Sequence, residues 1–232
     1  MDKFKVDNAI ILAAGLGSRL LPLTASTPKG LISVLGEPMV ERQVRQLQES
    51  GIFDITILVG YLKEKFAYLV EQYGVKLLYN PEYAHKNTLA TLYHARHLLQ
   101  NTYILVSDNW LRYNMFHSEE RCSWYSSVFA SGHTSEWCLH LDEKKRIISV
   151  QIEGKDLPVM YGPAFFTRPF SQQFISLLEE YYRRSDTDNY YWEHILLENT
   201  DKLMVYANIQ ADNQVYEFES LKELQAFDSS YC

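Results

Sequence analysis

Apolar residues run unbroken from Ala9 to Ala13 (AIILA), the pattern of a strand covered on both faces. Ile55–Val59, Val75–Tyr79 and Tyr103–Val106 read as further strands. Between them, apolar positions recur at helical spacing. Met39, Val40, Val44 and Leu47 mark a helix over Pro38–Glu49, with Gly51 as its stop. A second helix spans Lys63–Tyr73 and ends at Gly74, and a third spans Asn87–Leu99, capped by Asn87 or Thr88. Such alternation predicts a mainly parallel sheet covered by helices. Beyond about residue 110 the pattern turns β-rich, with strands at Ser126–Ala130, Trp137–Leu141, Ile147–Ile152 and Ala164–Thr167 and a turn at Asp142–Lys145. Helices return at Ser171–Arg183 and Tyr191–Glu198, then a strand at Leu203–Ala207 and a last helix at Leu221–Phe227. The expectation is one α/β domain over residues 1–232, with a Rossmann-like half to about 110 and a β-rich lobe, 111–232, over the carboxyl edge of the sheet.

Composition narrows the function more than the fold. A formal charge of −7 argues against a nucleic-acid binder, which needs a basic surface, while leaving room for a local basic pocket. The three cysteines are far apart with no C-x-x-C pair, so neither a disulfide framework nor a zinc site is indicated. No run approaches the roughly 20 apolar residues that span a bilayer. The first residues lack the apolar stretch and cleavage site of a signal peptide, so a cytoplasmic protein is expected. Aromatics are the outlier, at 17 Tyr, 11 Phe and 4 Trp; most must be core, so the excess permits an aromatic pocket without requiring one.

In an open α/β sheet, ligands bind beyond the carboxyl ends of the strands. The first strand runs there into LAAGLGSRLLPLTASTPKG. Leu12 leads into the candidate nucleotide-binding loop, where the small residues Ala13, Ala14, Gly15 and Gly17 let backbone N–H groups approach phosphate oxygens. Arg19 can clamp phosphates through its planar fork, and Lys29 can act on them as a point charge. No Gly-Lys-Ser/Thr follows, so this is not a Walker A loop, and the dinucleotide fingerprint would need a third glycine. Asp108 ends the strand segment YILVSD, where a magnesium ligand belongs if the loop holds phosphates; a turn-starting residue is the lesser alternative.

The whole string, a strand followed by LAAGxGxRLxPLT and a downstream Pro-Lys, resembles the signature of the sugar-phosphate and phospho-alcohol nucleotidyltransferases. Within that superfamily the chain looks like the bacterial CTP:phosphocholine cytidylyltransferases. The likeness covers nearly its whole length, through GYLKEKFAYL, YNPEYAHKNTLATLY, SDN followed by an aromatic, SEW and YYWEH. The resemblance implies a single nucleotidyltransferase domain with a nucleotide-binding first half and an acceptor-binding second half. It also implies magnesium on Asp108 and catalytic roles for Arg19, Lys29 and Asp108. Where the family often has a second acid two residues before that aspartate, this chain has Val106, so a second ligand must come from elsewhere. The family's aromatic–Trp–acid stretch matches Tyr191-Trp192-Glu193, which makes Glu193 the expected second ligand, with glutamate standing where the family has aspartate. Glu136 and Trp137 fall on the family's choline pocket, joined by Tyr191 and Trp192. Core packing is the ordinary alternative for each aromatic, although consecutive residues on a helix cannot all face one core. Asn80 and Asn87 flank the segment that in this superfamily approaches the nucleotide, and Asn87 serves equally well as a helix cap. The histidines, among them His94, His133 and His194, are scattered without metal spacing, and no role falls to them.

The implied substrates are CTP and phosphocholine, joined without a nucleic-acid or membrane partner by a monomer or homodimer. Competing acceptors are a sugar 1-phosphate, which would want a polar pocket, and an aminoalkyl phosphate or phosphonate, which would want carboxylates; for these the base could be cytosine or uracil. A nucleotide-sensing regulator on the same fold is the alternative outside the enzymes.

Overall fold

Every residue of Asn8–Ala13 (β1) is buried in the computed structural model, which describes residues 3–232. The other principal elements follow in order: Met39–Glu49 (α1), Ile55–Val59 (β2), Ala67–Tyr73 (α2), Lys76–Tyr79 (β3), Thr88–His94 (α3), Thr102–Val106 (β4) and Asn109–Leu111 (β5). The second half holds Trp124–Leu141 (β6), Ile147–Phe166 (β7), Arg168–Tyr182 (α4), Glu193–Glu198 (α5), Tyr206–Ile209 (β8), Val215–Glu217 (β9) and Leu221–Phe227 (α6). Seven strands form one mixed sheet in the order β8-β6-β7-β4-β1-β2-β3. β1 pairs in parallel with β2 and β4, β2 in parallel with β3, and β7 runs antiparallel to both β4 and β6.

The strand pleat explains the layers. From β1, Ile10 and Leu12 join Leu89, Leu92, Phe174 and Trp192 in one core, while Ala9, Ile11 and Ala13 join Val40, Val44, Leu47 and Leu69 in the other. The expected helices are found, with local shortening. Lys63–Phe66 is a 3-10 turn leading into α2, and the third helix divides into α3 and a 3-10 turn at Arg96–Leu98. Gly74 takes the left-handed conformation (φ 70°) that stops α2.

The β-rich lobe differs from its four expected strands. β6 and β7 are 18 and 20 residues long and form one continuous hairpin, its pairing shifted by bulges near Ala130–His133 and Thr134–Trp137. Gly132 and Gly154 sit at these irregularities, where the strands bend. The strand expected at Leu203–Ala207 lies at Tyr206–Ile209, where it pairs in parallel with Trp124–Ser127. Among the described residues, no helix is long and apolar enough to cross a membrane.

Candidate active site

Beyond the carboxyl end of β1, the loop turns on Gly17, whose φ of 62° lies in the left-handed region that costs a side-chain-bearing residue strain. Leu12, Ala14, Gly15 and Gly17 form one wall of a cavity of about 310 Å³, and the segment Tyr83–Thr88 forms the other. Ala13 instead points into the core from β1. Asn87 caps α3, its side chain accepting a hydrogen bond from the Thr88 N–H (2.8 Å), and the residue also lines the cavity. Asn80 does not reach the cavity. It is fully buried, its Nδ2 donating to Thr91 Oγ1 (2.9 Å) and its Oδ1 accepting from the Glu82 N–H (2.8 Å), so it supports the wall from behind.

The same loop returns through the 3-10 turn Lys29–Leu31. Gly30 packs so closely there that a Cβ would stand 2.7 Å from that of Ser107. This approach carries Lys29 to Asp108, and Nζ meets Oδ2 at 2.5 Å with both side chains largely buried. The other oxygen, Asp108 Oδ1, is buried without a partner.

Glu193 stands nearby at the start of α5. Its Oε1 accepts from Tyr125 Oη (3.1 Å), and its Oε2 is likewise buried without a partner. Burial, and to a lesser degree the Asp108 charge, push this carboxyl up to about 7. Two inward carboxylates with open oxygens suit a divalent cation that takes a few protein oxygens and completes its shell with water and substrate phosphates. Among the described residues, no group of three or more His, Cys, Asp or Glu forms a closed metal cage.

A third acid was not anticipated. β9 pairs antiparallel with β5, setting Glu217 opposite Asn109, next to Asp108. Burial first, then the Asp108 charge, push Glu217 up to about 8. Its own N–H donates to Tyr161 Oη (2.9 Å), which fixes the strand end.

Asp108, Glu193 and Glu217 face a second cavity of about 290 Å³, also lined by Glu136, Trp137, Tyr191 and Glu219. That volume is at the small end for ligand sites and suits a small acceptor. Thr88 borders both cavities, so they adjoin. Trp137 meets Tyr191 edge to face, centroids 6.0 Å apart. Trp192 is a correction. It is only 2% exposed and packs against Phe166, Phe174 and Tyr125, so it braces the cavity from the core instead of lining it. Consecutive residues at the start of α5 point opposite ways: Tyr191 faces out and Trp192 in.

His194, assigned nothing from sequence, stacks parallel to Tyr191 and meets Trp137 edge to face at 4.8 Å. Its Nδ1 accepts from the Tyr191 N–H (3.1 Å), and burial lowers its pKa. The spacing from Tyr191 to His194, one helical turn, was the only signal available. Arg19 also departs from expectation. It borders the second cavity, and its guanidinium pairs with Glu219 at 2.6 Å.

Comparison with known proteins shows the family and the fold. The family described as nucleotidyl transferase matches residues 8–121. Choline-phosphate cytidylyltransferase from Streptococcus pneumoniae is 37% identical over 95% of this chain and 96% of its own length. 2-Aminoethylphosphonate cytidylyltransferase from Lancefieldella rimae is 35% identical, over 97% and 93% respectively. Among solved structures, CTP:phosphocholine cytidylyltransferase from Streptococcus pneumoniae superposes with a TM-score of 0.93 at 36% identity, covering 98% of this chain and all of that one.

Proposed function

Because this chain belongs to the nucleotidyl transferase family, with cytidylyltransferases among its full-length relatives, we propose that it transfers CMP from CTP to phosphocholine, giving CDP-choline and pyrophosphate. One observation carries the choice of acceptor: a small cavity beside Asp108 combines the aromatic faces of Trp137 and Tyr191 with the carboxylates of Glu136 and Glu219. A quaternary ammonium cannot donate ordinary hydrogen bonds. Aromatic faces recognise it, at about 0.5–2 kcal/mol per good contact, and carboxylates add long-range attraction.

An oxygen of the phosphocholine phosphate attacks the α-phosphorus of CTP. The new P–O bond forms as the bond to the β-phosphate breaks, and pyrophosphate leaves with the electron pair. With a second pKa near 6, the attacking phosphate is already largely ionised at neutral pH, and no general base is needed. Catalysis then rests on positioning and charge neutralisation. The Gly15–Gly17 backbone would cradle the triphosphate, with Lys29 and Arg19 as its cations. Asp108 and Glu193 would hold magnesium, which when bound neutralises phosphate charge. Their unpartnered buried oxygens support this assignment, and Glu217 is a further carboxylate within reach of the same site. Both cavities are built from one chain, so a monomer or a homodimer would serve, and the nucleotide substrate suits a cytoplasmic enzyme.

The acids also favour a second reading, an acceptor with a primary ammonium such as 2-aminoethylphosphonate. A pyrophosphate-release screen of four nucleoside triphosphates against phosphocholine, phosphoethanolamine, 2-aminoethylphosphonate and glucose 1-phosphate separates the two. The expected best pair is CTP with phosphocholine. Equal or higher efficiency with either primary amine would transfer the assignment to it, and no release with any pair would leave a nucleotide-sensing regulator.

Two variants test the cavity. Trp137→Ala should raise the Michaelis constant for phosphocholine about tenfold while leaving that for CTP nearly unchanged, with partial recovery in Trp137→Phe. An effect falling on CTP instead would return Trp137 to the core. Glu193→Gln should weaken the magnesium dependence of turnover strongly, and Glu193→Asp should keep part of it, since aspartate preserves the charge at a shorter reach. Normal turnover of Glu193→Gln across a magnesium titration would move the second ligand to Glu217.

A further inference from the structure

Both cations of the proposed phosphate loop, Lys29 and Arg19, are paired with carboxylates in the free protein. Lys29 is held by Asp108 in a largely buried pair, while Arg19 is held by Glu219 in an exposed one, the side chains being 62% and 43% accessible. Arg19, Glu136 and Glu219 border one cavity, the one assigned above to the acceptor. In the free protein, therefore, the loop's own guanidinium stands where the acceptor's ammonium would find its carboxylates. An exposed ion pair contributes little, so a triphosphate bound on the adjoining loop can take Arg19 by offering it several anionic oxygens in fork geometry. The buried Lys29 pair is less easily exchanged.

We propose that Arg19 is a stand-in for the acceptor's cation: it occupies Glu219 in the free protein, and nucleotide binding draws it onto the triphosphate and frees Glu219 to receive the acceptor. The inference rests on the acceptor reading above and adds a coupling between the two cavities. Each ligand should then favour the other by the same factor, because the linkage is reciprocal. It also makes Glu219, which reached the site only through the chain's folding, a determinant of acceptor affinity.

The test uses choline itself, which carries the cation without a phosphate, so that any contact of Arg19 with the acceptor's phosphate does not enter. Its affinity is measured calorimetrically on the full-length protein with magnesium, with and without a saturating CTP analogue whose α–β bridge is methylene. In the wild type, the analogue should tighten choline about threefold to fivefold, the size expected when one exposed ion pair is released. Arg19→Gln should bind choline that much more tightly from the start, with little further gain from the analogue. Glu219→Gln should bind choline weakly in both conditions and show no gain. Both residues are surface-exposed, so neither change should disturb the fold, and circular dichroism checks this. If the analogue still tightens choline fully in Arg19→Gln, or if that variant binds choline no better than wild type without nucleotide, the exchange is wrong while the acceptor reading stands. If choline binds no form of the protein, even with the analogue present, the acceptor reading itself falls and the exchange falls with it.

Discussion

Asp108→Asn should leave pyrophosphate release at least about a thousandfold below wild type, a loss on the order of 4 kcal/mol in transition-state stabilisation. The carboxylate lies two residues beyond β4, where the sheet delivers it into the second cavity, with Oδ1 buried and unpartnered. An asparagine keeps the shape but replaces a charged oxygen with a neutral amide, a much weaker magnesium ligand. The variant also leaves Lys29 without its counter-charge, so its thermal stability should be measured alongside activity. Lys29 has a long flexible stem and some exposure, which gives its ammonium a route to solvent and should keep the protein folded. A magnesium titration with the CTP analogue present supplies a readout independent of turnover, and binding should weaken along with the rate. Near-normal turnover at saturating magnesium would remove Asp108 from the chemistry.

Much of this site is legible in sequence because it is local in sequence. The phosphate loop is a single stretch after a single strand, and its small residues announce themselves. Asp108 ends an apolar run, and the rule that ligands bind beyond strand ends locates it without a structure. The α/β fold follows from residues read in this way, and the cytidylyltransferase relationship from the family resemblance that the longer stretches carry. What stayed hidden is what the chain brings together from a distance. Glu217 and Glu219 reach the site because β9 pairs with β5, more than a hundred residues earlier, and two strands of three residues each leave almost no periodic signature. The long β6–β7 hairpin was read as four strands because bulges and turn-forming residues look alike in a sequence.

Side-chain direction was the other gap. Tyr191 and Trp192 were expected together in the acceptor pocket, yet the start of α5 sends one outward and buries the other at 2% exposure. Pattern alone could say that neighbours must diverge, but not which one would turn inward. The core decides, because Phe166, Phe174 and Tyr125 offer a large apolar slot that the indole fills. Asn80 misled for a related reason. An asparagine beside a binding segment looks like a ligand contact, while here its amide closes the turn after β3 and braces α3.

Lys29→Ala should cut turnover about a hundredfold to a thousandfold, corresponding to roughly 3–4 kcal/mol, while the metal site of the free protein should bind magnesium more tightly than wild type does. The two effects have opposite signs because Lys29 faces two anions in turn. In the free protein its ammonium compensates Asp108 at 2.5 Å and lowers the Glu217 carboxyl, so a metal ion must compete with it. In the proposed nucleotide complex the same charge would be needed on the triphosphate, where its loss would leave developing negative charge unopposed. Gly30 makes this position hard to replace: its close packing on Ser107 fixes where the chain approaches Asp108, so no neighbouring lysine can substitute. Lys29→Met keeps most of the apolar stem and separates charge from packing; it should match Lys29→Ala in rate and exceed it in thermal stability. Pyrophosphate release at saturating CTP and magnesium measures the first effect, and calorimetric magnesium binding without nucleotide measures the second. A normal rate in both variants would overturn the loop assignment. Slow turnover with weakened magnesium binding would mean that Lys29 organises the metal site instead of competing for it.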